Sequence, residues 1–173
     1  PSKRIKANLE SLKLLKVLSC NKATAEERAI LSKFTGWGGI HEIFDPKHKE
    51  YETLKNLLSE AEYKAAKNTI LDAFYTPKSL IREMWQLAAN HGYKGGKCLE
   101  PGAGSGNFMA AALENSRFTA IEVDNISAGI LQKLYPDADI RHDSLEDIKL
   151  AQAYDLAIGN VPYGKTGLYD RNY

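Results

Sequence analysis

The chain has 173 residues, of which 43% are hydrophobic and 26% are charged, and its 23 basic and 22 acidic residues give a net charge of +1. This size and composition predict one folded domain, with at most a helical appendage, and exclude a disordered chain or a disulfide miniprotein. The two cysteines form no C-x-x-C pair and the four histidines form no H-x-x-x-H pair, so we expect no metal site. No apolar stretch has the length of a membrane span, and we expect a soluble, cytoplasmic protein.

Positive charge is concentrated at the N-terminal end of the chain. Residues 1–33 hold eight basic and three acidic side chains. Because the whole chain is nearly neutral, any binding of nucleic acid must come from a local patch such as this one. Lysines also occupy the exposed faces of ordinary amphipathic helices, so both phosphate contacts and solvated helix faces remain open as interpretations.

The N-terminal part of the chain has the pattern of a helical region. Apolar residues at helical spacing predict a first helix from Ile5 onwards. Thr24 opens a capping box ahead of a second helix, and the glycines of Thr35–Gly39 end that helix. Two further helices, rich in Leu, Ala, Lys and Glu, are predicted at about 50–59 and 60–73.

After Pro77 the pattern changes to alternating helices and strands. The predicted elements are a helix at 78–91, a strand at 97–100, a glycine-rich loop at 101–106, a helix at 107–115, a strand at 117–122, a helix at 126–134, a short strand near 138–141 and a strand at 154–158. This alternation is typical of βαβ units, which form a parallel sheet with helices on both faces. We therefore expect a helical region over 1–73 and a doubly wound α/β domain over 74–173.

The segment EPGAGSGNF at 100–108 follows a predicted strand and precedes a predicted helix. Its glycines let the backbone approach a ligand closely, and a helix N-terminus offers unpaired N–H groups. The dinucleotide fingerprint G-x-G-x-x-G would need a glycine where this chain has Asn107. G-x-G-x-G behind an acid fits S-adenosylmethionine (SAM) better, with the carboxylate of Glu100 facing the cationic amino-acid end of the ligand. A tight β–α turn without a ligand is the alternative.

Two acids follow the next two predicted strands. Glu122 lies twenty residues after Gly102, the separation at which an acid hydrogen-bonds a ribose diol in nucleotide-type sites. Asp143 comes after the third strand, from where a side chain can reach the adenine of the same ligand. Asp143 is also close in sequence to Glu146 and Asp147, so a solvated acidic surface is the alternative there.

The segment NVPY at 160–163 leaves the last predicted strand at the edge where parallel sheets bind ligands. An exocyclic amine on an aromatic base is a poor nucleophile because its lone pair is delocalised into the ring. The amide oxygen of Asn160 and the carbonyl of Val161 can accept the two amine hydrogens and hold the nitrogen in line for attack. Tyr163 can stack on the base, and Pro162 stiffens the turn. An ordinary β-turn is the alternative.

Taken together, these motifs resemble those of the SAM-dependent adenine-N6 DNA methyltransferases. The matching segments are FYTP at 74–77, EPGAGSGNF at 100–108, IEVD at 121–124, HD at 142–143 and NVPY at 160–163. The resemblance implies a Rossmann-like methyltransferase fold and SAM as the cofactor, held by Tyr75, Thr76, Glu100, Pro101, Gly102, Gly104, Glu122, Val123, Asp143 and Asn160. It implies a catalytic loop formed by Asn160, Val161, Pro162 and Tyr163. The target adenine would leave the DNA duplex to reach this loop.

Two departures from the family pattern affect what we expect. Val161 stands where the family usually has proline, which keeps the carbonyl but removes the rigidity of a double proline. The four predicted strands make up only part of the family's sheet, so we expect a fragment that lacks the target-recognition region. The glycine-rich break at 35–39 ahead of such a domain also resembles the methylase regions of large methylase–helicase proteins of phages and conjugative elements, which implies a fused or partner helicase.

Other functions remain open at this point. Protein-glutamine and RNA-base methyltransferases also resemble the NVPY segment, because they act on planar amide-like or amino nitrogens. The FYTP segment favours the DNA group. A non-catalytic SAM-fold module that docks onto DNA is a further alternative, which Val161 favours and the intact glycine loop disfavours.

Overall fold

The structure, a computed structural model, describes residues 2–18, 22–70, 75–150 and 153–161. The helices are α1 (Ser2–Val17), α2 (Ala25–Leu31), α3 (Tyr51–Leu57), α4 (Glu60–Asn68), α5 (Lys78–Asn90) and α6 (Asn125–Leu134). The strands are β1 (Gly96–Pro101), β2 (Ser116–Ile121), β3 (Asp139–Arg141) and β4 (Leu156–Ala157), and single 3-10 turns cover Glu42–Phe44 and Met109–Ala111. Within these ranges no helix has the length and apolar character needed to cross a membrane.

The four strands form one parallel sheet in the order β3-β2-β1-β4. β1 pairs with β2 along its whole length, from Gly96 opposite Ser116 to Pro101 opposite Ile121. Because β4 lies on the other side of β1, the strand order reverses at β1, and ligands bind at the carboxyl end of such a reversal. The predicted α/β, Rossmann-like class with helices at the N-terminus is confirmed.

Capping boxes start two helices of the N-terminal region. The hydroxyl of Thr24 accepts the N–H of Glu27, whose carboxylate accepts the N–H of Thr24, as predicted. Ser59 and Glu62 form the same pair at the start of α4. Each box satisfies two N–H groups that the helix itself leaves unpaired. α4 ends at Asn68, earlier than predicted, and residues 71–74 are outside the described part of the chain.

The predicted helix at 107–115 is wrong. After the glycine loop the chain makes a single 3-10 turn at Met109–Ala111, and Ala112 is already extended. The carbonyl of Phe108 accepts the buried indole N–H of Trp85 at 3.0 Å and the N–H of Ala111 at 3.2 Å. In an α-helix the carbonyl of Phe108 would instead accept the N–H of Ala112. Since β2 already begins at Ser116, the residues between are also too few for a stable helix.

The helical region is joined to the α/β part through α6. Buried side chains of the helical region, such as Leu12 of α1, Leu31 of α2 and Phe34 after it, share one apolar cluster with Ile126 and Ile130 of α6. The contact places α6 between the N-terminal helices and the sheet. The division of the chain at residue 73 stays a prediction, and this cluster shows that the two parts are packed together.

Side chains of α5 and α6 cover one face of the sheet. Cys98 is opposite Phe118 in the β1–β2 register, so both point to the same face. Both belong to a second apolar cluster that also holds Trp85 of α5 and Leu131 of α6. Leu99 points to the opposite face and is buried as well, outside both clusters.

Candidate functional site

The glycine loop after β1 lies at the carboxyl edge of the sheet. Gly102, Gly104 and Gly106 adopt left-handed φ angles of 65°, 56° and 85°, which other residues adopt only at a cost. The N–H of Ala103 donates to the carbonyl of Ile121 at 2.9 Å. This bond ties the loop to the end of β2 and places it beside the next acidic residue.

Glu122 holds the glycine loop with its carboxylate. One oxygen accepts the N–H of Gly104 at 2.6 Å, and the other accepts the N–H of Asp124 at 2.7 Å. The side chain is buried, and burial raises the pKa of Glu122 against the lowering effect of these two bonds. The acid predicted from its spacing to the glycines therefore contacts the glycine loop directly.

Glu100 is a buried carboxyl at the end of β1. Its residue is only 1% exposed, and its Oε2 atom has no hydrogen-bond partner among the described residues. Burial, together with the nearby charge of Glu122, raises the pKa of Glu100 well above its usual value. A buried polar oxygen without a partner costs free energy, so this atom marks a place where a ligand donor can bind.

Tyr75 lies against the glycine loop, in the segment that precedes α5. A Cβ atom on Gly104 would stand 3.4 Å from the ring of Tyr75. The hydroxyl of Tyr75 hydrogen-bonds with Ser105 and Ser127, and burial raises its pKa to about 12. Thr76 follows it and is half-buried. The structure thus brings the predicted Tyr75 to the predicted glycine loop.

The start of the predicted catalytic loop lies next to the end of β1. The N–H of Ile158 donates to the carbonyl of Leu99 at 2.9 Å. A Cβ atom on Gly159 would stand 3.0 Å from the carbonyl oxygen of Pro101. Asn160 is half-buried and Val161 is 48% exposed. The catalytic segment therefore begins at the same edge as the glycine loop.

The other two residues of that segment, Pro162 and Tyr163, lie outside the described residues. Their predicted roles stay predictions.

Asp143 and Val123 are at the same edge but contact the glycine loop through none of the described hydrogen bonds. The carbonyl of Val123 lies 3.1 Å from Nε2 of His142, which brings the ends of β2 and β3 together. Asp143 is exposed, and its carboxylate accepts the N–H of Ser144 at 2.8 Å. The position of Asp143 fits either a ligand contact or the solvated surface that the sequence left open.

Sequence reasoning missed the residues that pack behind the glycine loop. Tyr135 donates its hydroxyl hydrogen to the carbonyl of Gly106 at 3.1 Å. Its ring would be 2.6 Å from a Cβ atom on Gly106, so only glycine fits there. The hydroxyl of Ser105 donates to the carbonyl of Phe34, in the helical region, at 3.0 Å. The glycine at position 106, one place early for a dinucleotide site, was the only local signal of this packing.

The chain is similar to two proteins associated with DNA restriction. It is 29% identical over 165 residues to the Defense against restriction protein B of Escherichia phage P1, a match that covers 93% of this chain and 6% of that protein. It is 28% identical over 152 residues to the Type I restriction enzyme MjaIX methylase subunit of Methanocaldococcus jannaschii, a match that covers 78% of this chain and 26% of that subunit. The chain thus spans only a small part of either relative. No family model and no solved structure matches the chain.

The N–H groups of Ala103, Gly104 and Gly106 in the glycine loop already have partners within the chain. A phosphate at a glycine loop binds to the N–H groups of that loop. Here the N–H of Gly104 already donates to the carboxylate of Glu122, and Glu100 lies buried close by. The loop N–H groups that a phosphate would need are therefore partly taken, and the unpartnered Oε2 of Glu100 is left for a hydrogen-bonding ligand.

Proposed function

We propose that the chain is the cofactor-binding and catalytic-loop part of a DNA methyltransferase that transfers a methyl group from SAM to N6 of adenine. The observation that carries the proposal is the carboxylate of Glu122 on the N–H of Gly104, with the unpartnered oxygen of Glu100 beside it. This arrangement favours a cationic cofactor without phosphate over a dinucleotide. The similarity to a restriction methylase subunit supports the same class of reaction.

The residues proposed to hold SAM surround the glycine loop. Glu100 would bind the cationic amino-acid end, Glu122 the ribose hydroxyls and Asp143 the adenine. Thr76 would contact the methionine carboxylate, as the family resemblance implies. The other members of this set are Tyr75, Pro101, Gly102, Gly104, Val123 and Asn160. When bound, SAM supplies an electrophilic methyl group on a sulfonium sulfur.

The catalytic segment is proposed to position the amine of an adenine that has left the duplex. The side-chain oxygen of Asn160 and the carbonyl of Val161 would accept the two hydrogens of N6. These bonds would turn the nitrogen lone pair away from the ring and towards the glycine loop. Pro162 would restrict the turn and Tyr163 would stack on the base. Val161 supplies the same carbonyl as proline but leaves the turn less rigid.

The basic face of α1 is the proposed contact with DNA phosphates. A groove of about 380 Å³ runs along α1, and four lysines line it: Lys3, Lys6, Lys13 and Lys49. Two acids, Glu10 and Glu50, also line the groove, and Lys6 is 4.0 Å from Glu10. The excess of positive charge favours a polyanion such as the DNA backbone.

The experiment that tests the proposal is methyl transfer from labelled SAM to three substrates: DNA with unmethylated adenine, RNA and a glutamine-containing peptide. We expect label in DNA, and N6-methyladenine after hydrolysis of the product. Label confined to the peptide or to RNA would contradict the choice of DNA.

A non-catalytic SAM-fold module is the second candidate. It is favoured by Val161, which is 48% exposed and replaces the proline of the family pattern. This candidate predicts that SAM binds and that no substrate is labelled. The catalytic proposal predicts that binding and labelling occur together.

A further inference from the structure

A segment of the helical region reaches across to the glycine loop. The hydroxyl of Ser105, in the glycine loop, donates to the carbonyl of Phe34 at 3.0 Å, and this bond is buried. Phe34 is itself 1% exposed and belongs to the apolar cluster of the helical region. The two parts of the chain are therefore in direct contact at the proposed cofactor pocket and not only through α6.

The ring of Tyr75 lies between Gly36 of the helical region and Gly104 of the glycine loop. A Cβ atom on Gly36 would be 2.6 Å from Cε2 of Tyr75, and one on Gly104 would be 3.4 Å from Cε1. These two ring atoms are on opposite edges of the ring. Gly36 also has a φ of +61°, so any larger residue there is strained and meets the ring. The position of the Tyr75 ring against the glycine loop is thus limited by Gly36.

α1 fixes the segment that carries Gly36. The amide of Asn8 donates to the carbonyl of Gly36 at 2.6 Å, and its oxygen accepts the N–H of Thr35 at 2.9 Å. The guanidinium of Arg4 donates to the carbonyls of Thr35 and Gly38 at 3.2 and 3.1 Å. Asn8 is fully buried, so these bonds have little competition from water. The segment is therefore held in place by the chain itself.

We propose that Gly36 is a positioning residue of the cofactor pocket, which acts by holding the Tyr75 ring against Gly104. The helical region then forms one wall of the pocket and sets the affinity for the cofactor. The inference rests on the proposed function, because it takes the glycine loop to be the SAM site.

The test compares Gly36→Ala with Gly92→Ala. Gly92 has a φ of +96°, and a Cβ atom there meets nothing within 4 Å in the described residues, so this control carries a backbone cost without a collision. We expect Gly36→Ala to raise the dissociation constant of SAM by roughly tenfold or more, which corresponds to about 1.4 kcal/mol of binding free energy. Gly92→Ala should change it by less than about twofold.

Two further measurements separate positioning from general damage. In the ligand-free protein, Gly36→Ala should shift the backbone amide signals of Gly104 and Ser105 in nuclear magnetic resonance spectra, whereas Gly92→Ala should not. In a Tyr75→Ala background, Gly36→Ala should have little further effect on SAM affinity, because the ring it acts through is gone.

Unchanged amide signals, or the same loss of affinity with and without the Tyr75 ring, would overturn the inference. If the unaltered chain does not bind SAM, the proposed function fails, while the amide signals still test the contact between Gly36 and the glycine loop.

Discussion

The glycine loop and the start of the catalytic segment lie at the same edge of the sheet, and contacts of different kinds hold them there. The loop is tied down by the carboxylate of Glu122, by the hydroxyl of Tyr135 and by the ring of Tyr75. The segment after β4 is joined to β1 by the N–H of Ile158, which donates to the carbonyl of Leu99, and Val161 is 48% exposed. Under the proposed function, the glycine loop would hold the cofactor and the segment after β4 would meet the acceptor.

The largest expected effect comes from a substitution in the catalytic segment. Asn160→Ala removes the proposed acceptor for an amine hydrogen, so methyl transfer to DNA should fall by roughly 10²–10³-fold. The dissociation constant of SAM should rise much less, by no more than about tenfold, because Asn160 is only one of several proposed contacts with the cofactor. Single-turnover transfer and calorimetry measure the two quantities. If Asn160→Ala greatly weakened SAM binding but left the single-turnover rate at saturating SAM unchanged, Asn160 would contact only the cofactor and not the amine.

The next effect concerns the packing behind the glycine loop. In Gly106→Ala the new Cβ atom would be 2.6 Å from Tyr135 and 2.8 Å from Leu131. We expect a loss of about 2–4 kcal/mol in the free energy of unfolding, from the left-handed φ and from overpacking. Denaturation with urea measures it. Gly92→Ala is the control, because it carries the cost of a positive φ without a collision. Equal losses of unfolding free energy in the two variants would mean that this packing does not hold the glycine loop.

A smaller effect beside the glycine loop is the pH dependence of the free energy of unfolding. Because burial and the charge of Glu122 raise the pKa of Glu100 well above 4.5, the folded state binds this proton more tightly than the unfolded chain. The stability that the proton contributes is complete below the usual pKa and is lost as the pH rises through the raised one.

Glu100→Gln should therefore unfold with a higher free energy than the unaltered chain near neutral pH and should lose less stability as the pH rises. Urea denaturation over a pH series checks this, with Glu114→Gln as the matched exposed variant. The same slope in Glu100→Gln and in the unaltered chain would contradict the buried state of this carboxyl.

The smallest expected effect is on DNA affinity. Replacing Lys3 and Lys6 with glutamine should weaken binding to all DNA sequences alike and reduce the slope of log affinity against log salt by about 1 for each phosphate that is no longer neutralised. Lys94→Gln, an exposed lysine outside the groove, should leave the slope unchanged. An unchanged slope in the double variant would show that the basic face of α1 is only a solvated helix face.

The sequence predicted those local features that follow repeated spacing rules. The capping box at Thr24 was predicted from its spacing to Glu27 and is confirmed. The spacing of Glu122 from the first glycine agrees with its hydrogen bond to the glycine loop, and its role towards a ligand stays a prediction. Both rules depend on backbone geometry that repeats from one protein to the next.

Other features depend on contacts between distant parts of the chain and leave no local pattern. Gly36 and Tyr75 meet across two separate regions, and the turn that replaces the helix at 107–115 depends on the indole of Trp85.

Calorimetric titration of the chain with SAM, ATP and NAD tests the central claim most directly. Two carboxyls at the glycine loop should admit SAM and exclude both phosphate-bearing ligands, and Glu122→Gln should weaken SAM binding while Glu114→Gln does not. Heat of binding with ATP or NAD, and none with SAM at millimolar concentration, would contradict the account.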